Sequence, residues 1–421
     1  MWVDPLRDDR SGVELPSVGD SFNPFDVEFL RDPGPLLEFA RRQDPVFFSP
    51  WVGAWVVTRF EDNRMILRDP ERFPSKDILS IQDLLSPEVA AYLGDKIPME
   101  GTLIGVDPPQ HTRLRGVLQK AFSPGKIGEI EPELRTLVHR IVEQMRPEGT
   151  GDLLRQLAYP LPLETIARFI GIPDDEMPFF REVTEDWATL SVAYLQGMAL
   201  DDQMILAERV LAVHERVLEL FRERAATPRD DLLSELVAQR EAADLSEREL
   251  LSLVPGLFLA GHETTANVLA NALWHLLRVP ERWERMVQDP STIGGAIEEI
   301  LRLDTSVFGM WRNVAADSVI AGVHVPAGQR LYLAFWSGNR DETQFRSAEE
   351  FNPGRRGGGQ HLAFGRGIHY CIGAPLARLE LRTALSVLAE SLPDLRLAAD
   401  FTPSYRPHPF LRGLDSLPVE W

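Results

Sequence analysis

A single cysteine, Cys371, lies in the part of the sequence with the strongest chemical signature. One thiol cannot form an internal disulfide, and Gly365, Gly367 and Gly373 surround this one. Glycine accepts positive φ and lets the main chain approach a ligand without a Cβ clash. A helix-forming segment with Pro375 in its first turn follows directly, and a thiolate near a helix N-terminus is stabilised by free N–H groups. The pattern therefore favours a thiolate ligand to iron over a small buried core cysteine.

A second chemical signature lies inside the longest predicted helix. Ser246 and Glu249 form a possible capping box at its start, and the helical pattern runs to Pro280, on the order of 50 Å at about 1.5 Å per residue. Helical spacing places small residues, an acid, an alcohol and an amide along one stripe, at Gly256, Ala260, Glu263, Thr264 and Asn267. Threonine can bend a helix by bonding back to a carbonyl, but a carboxylate is costly to bury without a partner. We therefore interpret the stripe as a functional polar notch.

Composition and charge limit the classes of function. The 421 residues contain 64 Asp and Glu against 44 Lys and Arg, a net charge of −20, which argues against general nucleic-acid binding. A lone cysteine fits a reducing cytoplasm. The N-terminus has no signal-peptide pattern, and no apolar run reaches the length of about 18 residues that a membrane helix needs. These features predict a soluble cytoplasmic protein that neither spans a membrane nor binds nucleic acid.

The apolar periodicity predicts a mainly α protein with a small β-rich portion. Residues 1–22 are expected to form an irregular N-terminal arm, and residues 23–421 a single domain. The stretch 128–290 is largely helical, with apolar residues at three- and four-residue spacing. A short helix and several β segments are predicted elsewhere, at 35–43, 46–48 with 54–58 as a hairpin, 319–325, 331–335 and near 412–419.

Five motifs, in the same order along the chain, resemble those of the bacterial soluble cytochrome P-450 family of haem-thiolate monooxygenases. They are the cysteine-loop signature at 361–378, the Glu-x-x-Arg helix motif at 299–302, the segment with a second arginine at 351–355, the oxygen-binding part of the central helix at 260–265 and the propionate-binding helix at 107–115. The resemblance covers about residues 23–419. It implies the cytochrome P-450 fold, in which the long central helix crosses over the haem.

On the cysteine side, the resemblance implies haem b, an iron protoporphyrin IX, with Cys371 as the axial ligand to the metal. Phe364 would cover the sulfur, and Gly373 would let the main chain lie close to it. Four cationic or hydrogen-bonding side chains match the family's partners for the haem propionates, namely His111, Arg115, Arg312 and His369. Burying two carboxylates calls for such donors.

On the opposite face, the resemblance assigns catalysis to Glu263 and Thr264. Cleaving O2 needs protons, which an alcohol and an acid connected to water can deliver. Ala260 and Gly261 would lie against the haem, with Gly261 removing bulk where the helix passes close to it. The implied reaction inserts one oxygen atom from O2 into an apolar small molecule.

Two further groups of residues have supporting roles. Glu299, Arg302 and Arg355 would form a buried ion-pair cluster that supports the cysteine loop. Val307, Phe308 and Met310 would line the substrate pocket, although Phe308 could equally pack in the core. The usual Ser-Pro after the Glu-x-x-Arg motif is absent, which leaves the path of this loop open.

We expect no fused flavin or iron–sulfur domain, so the resemblance implies a separate ferredoxin and ferredoxin reductase as electron donors. Arg366, Arg378 and Arg382 flank the cysteine loop and could form a docking face. A monomeric enzyme of secondary metabolism is expected. The alternatives are a haem-thiolate enzyme of oxidative coupling or peroxide-driven oxidation, a haem-based sensor, and a zinc site at His369 and Cys371, which lacks further close ligands.

Overall fold

The computed structural model describes four stretches of the chain, residues 17–78, 85–96, 102–193 and 197–421. Its contacts group the chain into two compact units. The first unit draws on Met1–Pro74, Ile130–Tyr159 and Thr264–Trp421, and the second on Ser75–Glu129 and Pro160–Glu263. A single domain over 23–421 stays a prediction.

Helices dominate the described residues, and the predicted mainly α class is confirmed. In chain order they are α1 (Val18–Ser21), α2 (Val27–Arg31), α3 (Gly34–Gln43), α4 (Phe60–Leu67), α5 (Pro87–Leu93), α6 (Gln110–Gln119), α7 (Pro124–Glu129), α8 (Glu131–Met145), α9 (Pro160–Ile170), α10 (Met177–Ala193), α11 (Leu200–Ala226), α12 (Leu232–Gln239), α13 (Glu247–Leu277), α14 (Pro280–Gln288), α15 (Ile293–Leu303), α16 (Phe335–Gly338) and α17 (Ala374–Ser391). No helix among the described residues combines the length and apolarity needed to cross a bilayer.

Short strands form three small sheets within the first unit. The strands are β1 (Val46–Ser49), β2 (Ala54–Val57), β3 (Thr150–Asp152), β4 (Met310–Asn313), β5 (Ser318–Ile320), β6 (Val323–Val325), β7 (Arg330–Leu333), β8 (Arg396–Leu397) and β9 (Pro418–Glu420). The largest sheet has the order β1-β2-β7-β4, in which β2 and β7 run parallel and the other pairs antiparallel. The second has the order β3-β9-β8, and β5 pairs with β6 alone. The predicted hairpin is β1–β2, with Gly53 in its turn at φ +58°.

Two boundaries differ from the sequence prediction for local reasons. The arm predicted over 1–22 includes helix α1, whereas residues 1–16 lie outside the described residues. The run predicted as one strand over 319–325 is split between β5 and β6, because Ala321 and Gly322 both adopt positive φ and turn the chain. Glycine makes such a turn inexpensive.

The capping box predicted for the longest helix is present. The Ser246 Oγ accepts a hydrogen bond from the Glu249 N–H at 3.1 Å, and the Glu249 carboxylate accepts one from the Ser246 N–H at 3.0 Å. Helix α13 then runs for 31 residues, which is about 46 Å at about 1.5 Å per residue. It ends at Leu277 rather than at Pro280, because Val279 precedes a proline and is extended.

Each unit has its own apolar packing. In the first unit, α17 packs against α8 and α15, and it is buried over most of its length. In the second unit, α11 packs against α10, α12 and α5, and α9 packs against α10 and α12. The cysteine loop is therefore attached to the buried helix α17, while α10 and α11 form a separate helical layer.

Candidate active site

The cysteine loop, residues 364–373, belongs to the first unit and leads directly into α17. The Cys371 N–H donates to the Phe364 carbonyl oxygen across 2.9 Å, which closes the loop. Cys371 itself is exposed, and α17 begins three residues later with Pro375 in its first turn. A Cβ added at Gly373 would lie 3.9 Å from the Cys371 Sγ, which is ordinary van der Waals contact. The loop presents its thiol near a helix N-terminus, where a thiolate is stabilised.

Two other glycines of the loop set its path. Gly365 and Gly367 both have positive φ, +65° and +71°, a conformation that residues with a Cβ rarely adopt. A Cβ at Gly367 would also collide with the carbonyl oxygen of Leu67, the last residue of α4. The loop therefore packs directly on the end of α4, and its conformation depends on glycine at position 367.

A buried ion-pair cluster joins three residues that the sequence grouped together. The Glu299 carboxylate accepts hydrogen bonds from Arg302 Nε and Nη2 at 2.9 and 2.8 Å, and from Arg355 Nε at 3.0 Å. Arg302 is fully buried and also donates to the carbonyl oxygens of Asn339 and Ala348. Burial makes this cluster rigid, because each charged group already has its partners.

The neighbouring Glu298 has a role that sequence reasoning missed. It accepts two hydrogen bonds from Arg378 on α17, at 2.6 and 2.9 Å, and lies 3.2 Å from His361 Nε2. Burial alone would raise the pKa of Glu298, but the bonds from Arg378 and His361 outweigh it and lower the pKa to about 2. Arg378 is thus paired within the first unit, and its place in a docking face stays a prediction. Consecutive residues of a helix point about 100° apart, so Glu298 and Glu299 must contact different partners. The sequence could therefore have indicated that Glu298 has a partner of its own.

Helix α13 carries part of the predicted polar notch as an accessible stripe. Asn267, the last residue of the predicted stripe, is instead buried and accepts a hydrogen bond from Arg406 Nη2 at 2.8 Å. Ala260 is exposed, and Glu263 and Thr264 are partly exposed, whereas all of residues 265–273 are buried. The stripe therefore offers an acid and an alcohol at the surface of a helix whose next turns are packed on all sides. That arrangement suits contact with a ligand better than a purely structural bend.

Gly261 has a packing role that the sequence did not reveal. A Cβ added there would lie 2.9 Å from Cγ1 of Ile166 on α9, so the close approach is between two helices of the second unit. Gly261 permits α13 to pack on α9, and its place beside the haem stays a prediction.

The four residues predicted to bind propionates divide between the units. His111 and Arg115 lie one turn apart on α6, where i and i+4 side chains share a face. Burial lowers the pKa of His111, the charge of Arg115 lowers it further, and Asp107 opposes both. In the first unit, Arg312 is buried on β4 and His369 lies in the cysteine loop. Their assignment to propionates stays a prediction.

The loop predicted to line a substrate pocket is largely packed. Phe308 is fully buried, and its ring contacts Phe22, Phe29 and Trp336. This is the core position that the sequence left open for Phe308. Met310 is buried on β4, and Val307 is partly exposed and pairs by a β-bridge with Leu411. The path of the loop without a proline is thus fixed by aromatic packing.

The donor set fits a haem-thiolate centre. The exposed thiol of Cys371 follows a glycine-rich loop, and the accessible face of α13 carries an acid and an alcohol. Within the described part of the chain, no group of three or more His, Cys, Asp or Glu could hold a metal ion by itself. His369 and Cys371 thus gain no third close ligand there, and a zinc centre needs three or four.

Comparison with known proteins places this chemistry in a family. Residues 197–391 match the family model described as cytochrome P450. Cytochrome P450 107B1 of Saccharopolyspora erythraea is 34% identical over 374 residues, which cover 87% of this chain and 89% of that protein. The cytochrome P450 monooxygenase PikC of Streptomyces venezuelae is 32% identical over 406 residues, 94% of this chain and 92% of that protein.

Solved structures agree with these relatives. The structure of cytochrome P450 CREJ in complex with (4-ethylphenyl) dihydrogen phosphate has a TM-score of 0.88 and 31% identity, covering 96% of this chain and all of that one. Identity above 30% over nearly the whole length of both proteins means shared fold and shared chemistry here, since the cysteine loop is intact. The chain belongs to the cytochrome P450 family, and it is a haem-thiolate monooxygenase.

Proposed function

We propose that this enzyme inserts one oxygen atom from O2 into an apolar small molecule of secondary metabolism, with haem b as cofactor. A separate ferredoxin and its reductase supply the electrons, and the enzyme works as a monomer in the cytoplasm. The relatives support the metabolic setting, since they include the polyketide biosynthesis cytochrome P450 PksS of Bacillus subtilis and the nocardicin C N-oxygenase of Nocardia uniformis. The reducing compartment fits the single cysteine.

The chain's own residues divide the work. The chemistry that haem b supplies when bound is the activation of dioxygen. Cys371 would hold the iron as a thiolate, and its electron density favours O–O cleavage over O2 storage. Thr264 would donate a hydrogen bond on the opposite side, and Glu263 would pass it protons from water. His111, Arg115, Arg312 and His369 would hold the two propionates.

The single observation that supports this proposal most is the closed, glycine-set loop that presents Cys371. The experiment is an absorbance titration of the purified enzyme with a panel of apolar metabolites. We expect the spectrum of a thiolate-ligated haem and a shift with one class of compound. A spectrum without thiolate ligation would contradict the proposal.

Replacing Thr264 with alanine should separate electron consumption from product formation. The hydroxyl is the group that hands on protons, so its loss lets reduced oxygen leave as peroxide or water. Since positioned acid–base groups contribute roughly 100-fold or more, we expect the fraction of electrons recovered in product to fall at least about 10-fold. The measurement compares consumed reduced nicotinamide cofactor with product in the same sample.

The neighbouring residue provides a matched control for this prediction. Thr265 is also a threonine of α13, but it is buried, whereas Thr264 is partly exposed. Thr265→Ala makes the same chemical change and should leave the coupling near that of the wild type. If Thr264→Ala does not change the fraction of electrons recovered in product, the proposed proton relay is contradicted. A peroxide-driven or oxidative-coupling enzyme would then be favoured.

A different set of arginines supports electron-donor docking. Arg64 of α4, Arg68 directly after this helix and the following Arg72 line one groove, beside the point where the cysteine loop meets α4. Burial lowers the pKa of Arg366 in that loop, and the charges of Arg68 and Arg64 lower it further against the effect of Tyr370. These four cations therefore share one face of the first unit, in a chain of strongly acidic total charge. Arg382, from the original prediction, lies 3.8 Å from Glu131 instead.

Reversing the charge of Arg68 should slow electron transfer from an acidic donor. Arg64 and Arg72 already pair with Glu61 and Asp69, whereas Arg68 is exposed and adds net positive charge. With a plant-type ferredoxin and its reductase at low salt, we expect Arg68→Glu to lower the second-order rate by about 10-fold. The difference should shrink as salt screens the charges.

Arg382→Glu is the matched control for docking. It makes the same charge change on α17, outside the four-arginine face, and should alter the rate much less than Arg68→Glu. If Arg382→Glu lowers the rate more than Arg68→Glu does at low salt, the docking face lies at the arginines expected from the sequence instead.

A further inference from the structure

A cavity of about 60 Å³ lies inside the second unit, between helices α10, α11 and α13. A water needs about 10–15 Å³ of such space, so this cavity holds several water-sized groups. Its wall is mostly apolar, with Ile172, Phe180, Val183, Val210, Val213 and Val217 among its residues. Side chains that carry polar atoms also line it, namely Thr102, Thr184, Trp187, His214 and Ser252. Of these, His214 on α11, Thr184 on α10 and Ser252 on α13 are more than nine-tenths buried and make defined hydrogen bonds.

The hydrogen bonding of His214 fixes which ring nitrogen carries a proton. Its Nδ1 lies 3.3 Å from the carbonyl oxygen of Val210, one turn earlier on the same helix. A carbonyl oxygen only accepts, so Nδ1 must carry the hydrogen. Burial lowers the pKa of His214, with the bond to Val210 opposing it, so the ring is neutral near pH 7. Its Nε2 is therefore a bare acceptor.

Thr184 is committed in the same way. Its hydroxyl donates to the Phe180 carbonyl oxygen at 2.8 Å within α10, which leaves the oxygen lone pairs as acceptors. His214 and Thr184 are thus both acceptors toward the cavity, and the Ser252 hydroxyl, which donates to the Arg248 carbonyl oxygen at 2.9 Å, is committed in the same way. No Lys or Arg lines this cavity among the described residues, so an anionic ligand would be buried without a charged partner.

The cavity also borders the functional part of α13. Gly256 and Leu259 line it, and one helical turn separates them from Ala260 and Glu263 of the accessible stripe. The cavity therefore ends one helical turn before the residue Glu263 on the same helix.

We propose that this cavity binds a neutral, largely apolar ligand that carries one hydrogen-bond donor, a hydroxyl or N–H, which donates to Nε2 of His214 with Thr184 as a second acceptor. This inference rests on the proposed function. It identifies the substrates as apolar molecules that carry a hydrogen-bond donor, and His214 as the residue that selects them. A methyl analogue leaves the Nε2 acceptor of His214 without a hydrogen bond in an apolar wall, which is unfavourable. The cavity therefore favours ligands with a donor over their methyl analogues.

Fluorine NMR on the haem-loaded enzyme, without reductant, tests this selection with two probes of nearly equal shape. These are para-fluorophenol, which has a donor, and para-fluorotoluene, which has none. The measured quantity is the ratio of their affinities, because the ratio cancels general hydrophobicity. We expect His214→Leu to lower the preference for the phenol by about 10-fold, the value of one buried hydrogen bond with its donor left unpaired.

Two further variants keep the test decisive. His214→Gln retains an acceptor and should keep most of the preference. Val213→Phe fills the cavity and should weaken both probes together, which locates the binding. An unchanged ratio in His214→Leu, or unchanged affinities in Val213→Phe, would overturn the inference.

The outcome is distinguishable from failure of the proposed function. The NMR ratio requires no turnover, whereas the proposed function fails if the enzyme lacks the thiolate spectrum. Thiolate haem with an unaltered probe ratio would reject the cavity ligand alone.

Discussion

Cys371→Ser should yield a folded protein without thiolate-ligated haem and without monooxygenase turnover. Backbone hydrogen bonding and glycine conformations close the loop, and serine is nearly the same size as cysteine. For the haem-free polypeptide we therefore expect a change in stability of about 1 kcal/mol or less. The oxygen of serine is a poor donor of electron density to iron, so the characteristic absorbance of the reduced carbon monoxide complex should disappear.

The composition of the chain makes this result easy to interpret. Cys371 is the only cysteine of the 421 residues, so no other thiol can replace it. A thiolate spectrum that survives Cys371→Ser would therefore contradict the assignment of the ligand outright. The measurement is the absorbance of the carbon monoxide complex together with thermal unfolding of both proteins.

A second variant separates the ligand from the loop that holds it. Gly367→Ala keeps the thiol, but its Cβ would collide with the Leu67 carbonyl oxygen at a positive φ. We expect it to lose thiolate ligation as well, through displacement of the loop. Gly373→Ala is the milder control, since its Cβ would make only ordinary contact with the sulfur.

Local sequence signals predicted those parts of the site whose partners lie close in the chain. The capping box of Ser246 and Glu249, the β1–β2 hairpin and the Glu299–Arg302 pair all join residues at most eleven positions apart. The cysteine loop belongs to the same class, because its glycines and the helix that follows it are contiguous. In these cases spacing alone nearly determines geometry.

Long-range partners explain what the sequence missed. The pairing of Arg378 with Glu298 was missed because Glu298 lies 80 positions earlier in the chain. The packing of Gly261 on Ile166 was missed because Ile166 is on another helix. His214 lies among the valines that α11 contributes to the cavity, and a histidine in an apolar stripe is a signal that the sequence does contain. The cavity itself depends on how α10 and α13 pack against α11, which the sequence does not show.

Breaking the Glu299 cluster should give the largest loss of stability. Glu299→Ala removes the carboxylate that Arg302 and Arg355 share, and it leaves Arg302 fully buried without a counter-ion. Removing one partner of a buried pair costs about 3–5 kcal/mol. We expect the denaturant midpoint of the haem-loaded enzyme to fall accordingly, with haem loss accompanying the transition, because α15 and the segment that carries Arg355 support the first unit together.

An exposed pair with the same spacing serves as the control. Glu143 and Arg146 are also three positions apart, at 2.9 Å, but their side chains are 60% and 47% exposed. Water screens such a pair, so Glu143→Ala should cost about 1 kcal/mol or less. If Glu299→Ala costs no more than this control, the cluster contributes nothing beyond an ordinary surface ion pair.

A double variant identifies the physical origin of the loss. If the cost comes from an uncompensated buried charge, replacing Glu299 and Arg302 together by leucine should recover part of the stability that Glu299→Ala loses, since apolar groups of similar volume often replace buried ion pairs at little cost. Recovery is only partial, because Arg355 still lacks its acceptor and the carbonyl oxygens of Asn339 and Ala348 lose their donor. A double variant less stable than Glu299→Ala would instead mean that those backbone contacts, rather than the charge balance, hold the cluster together.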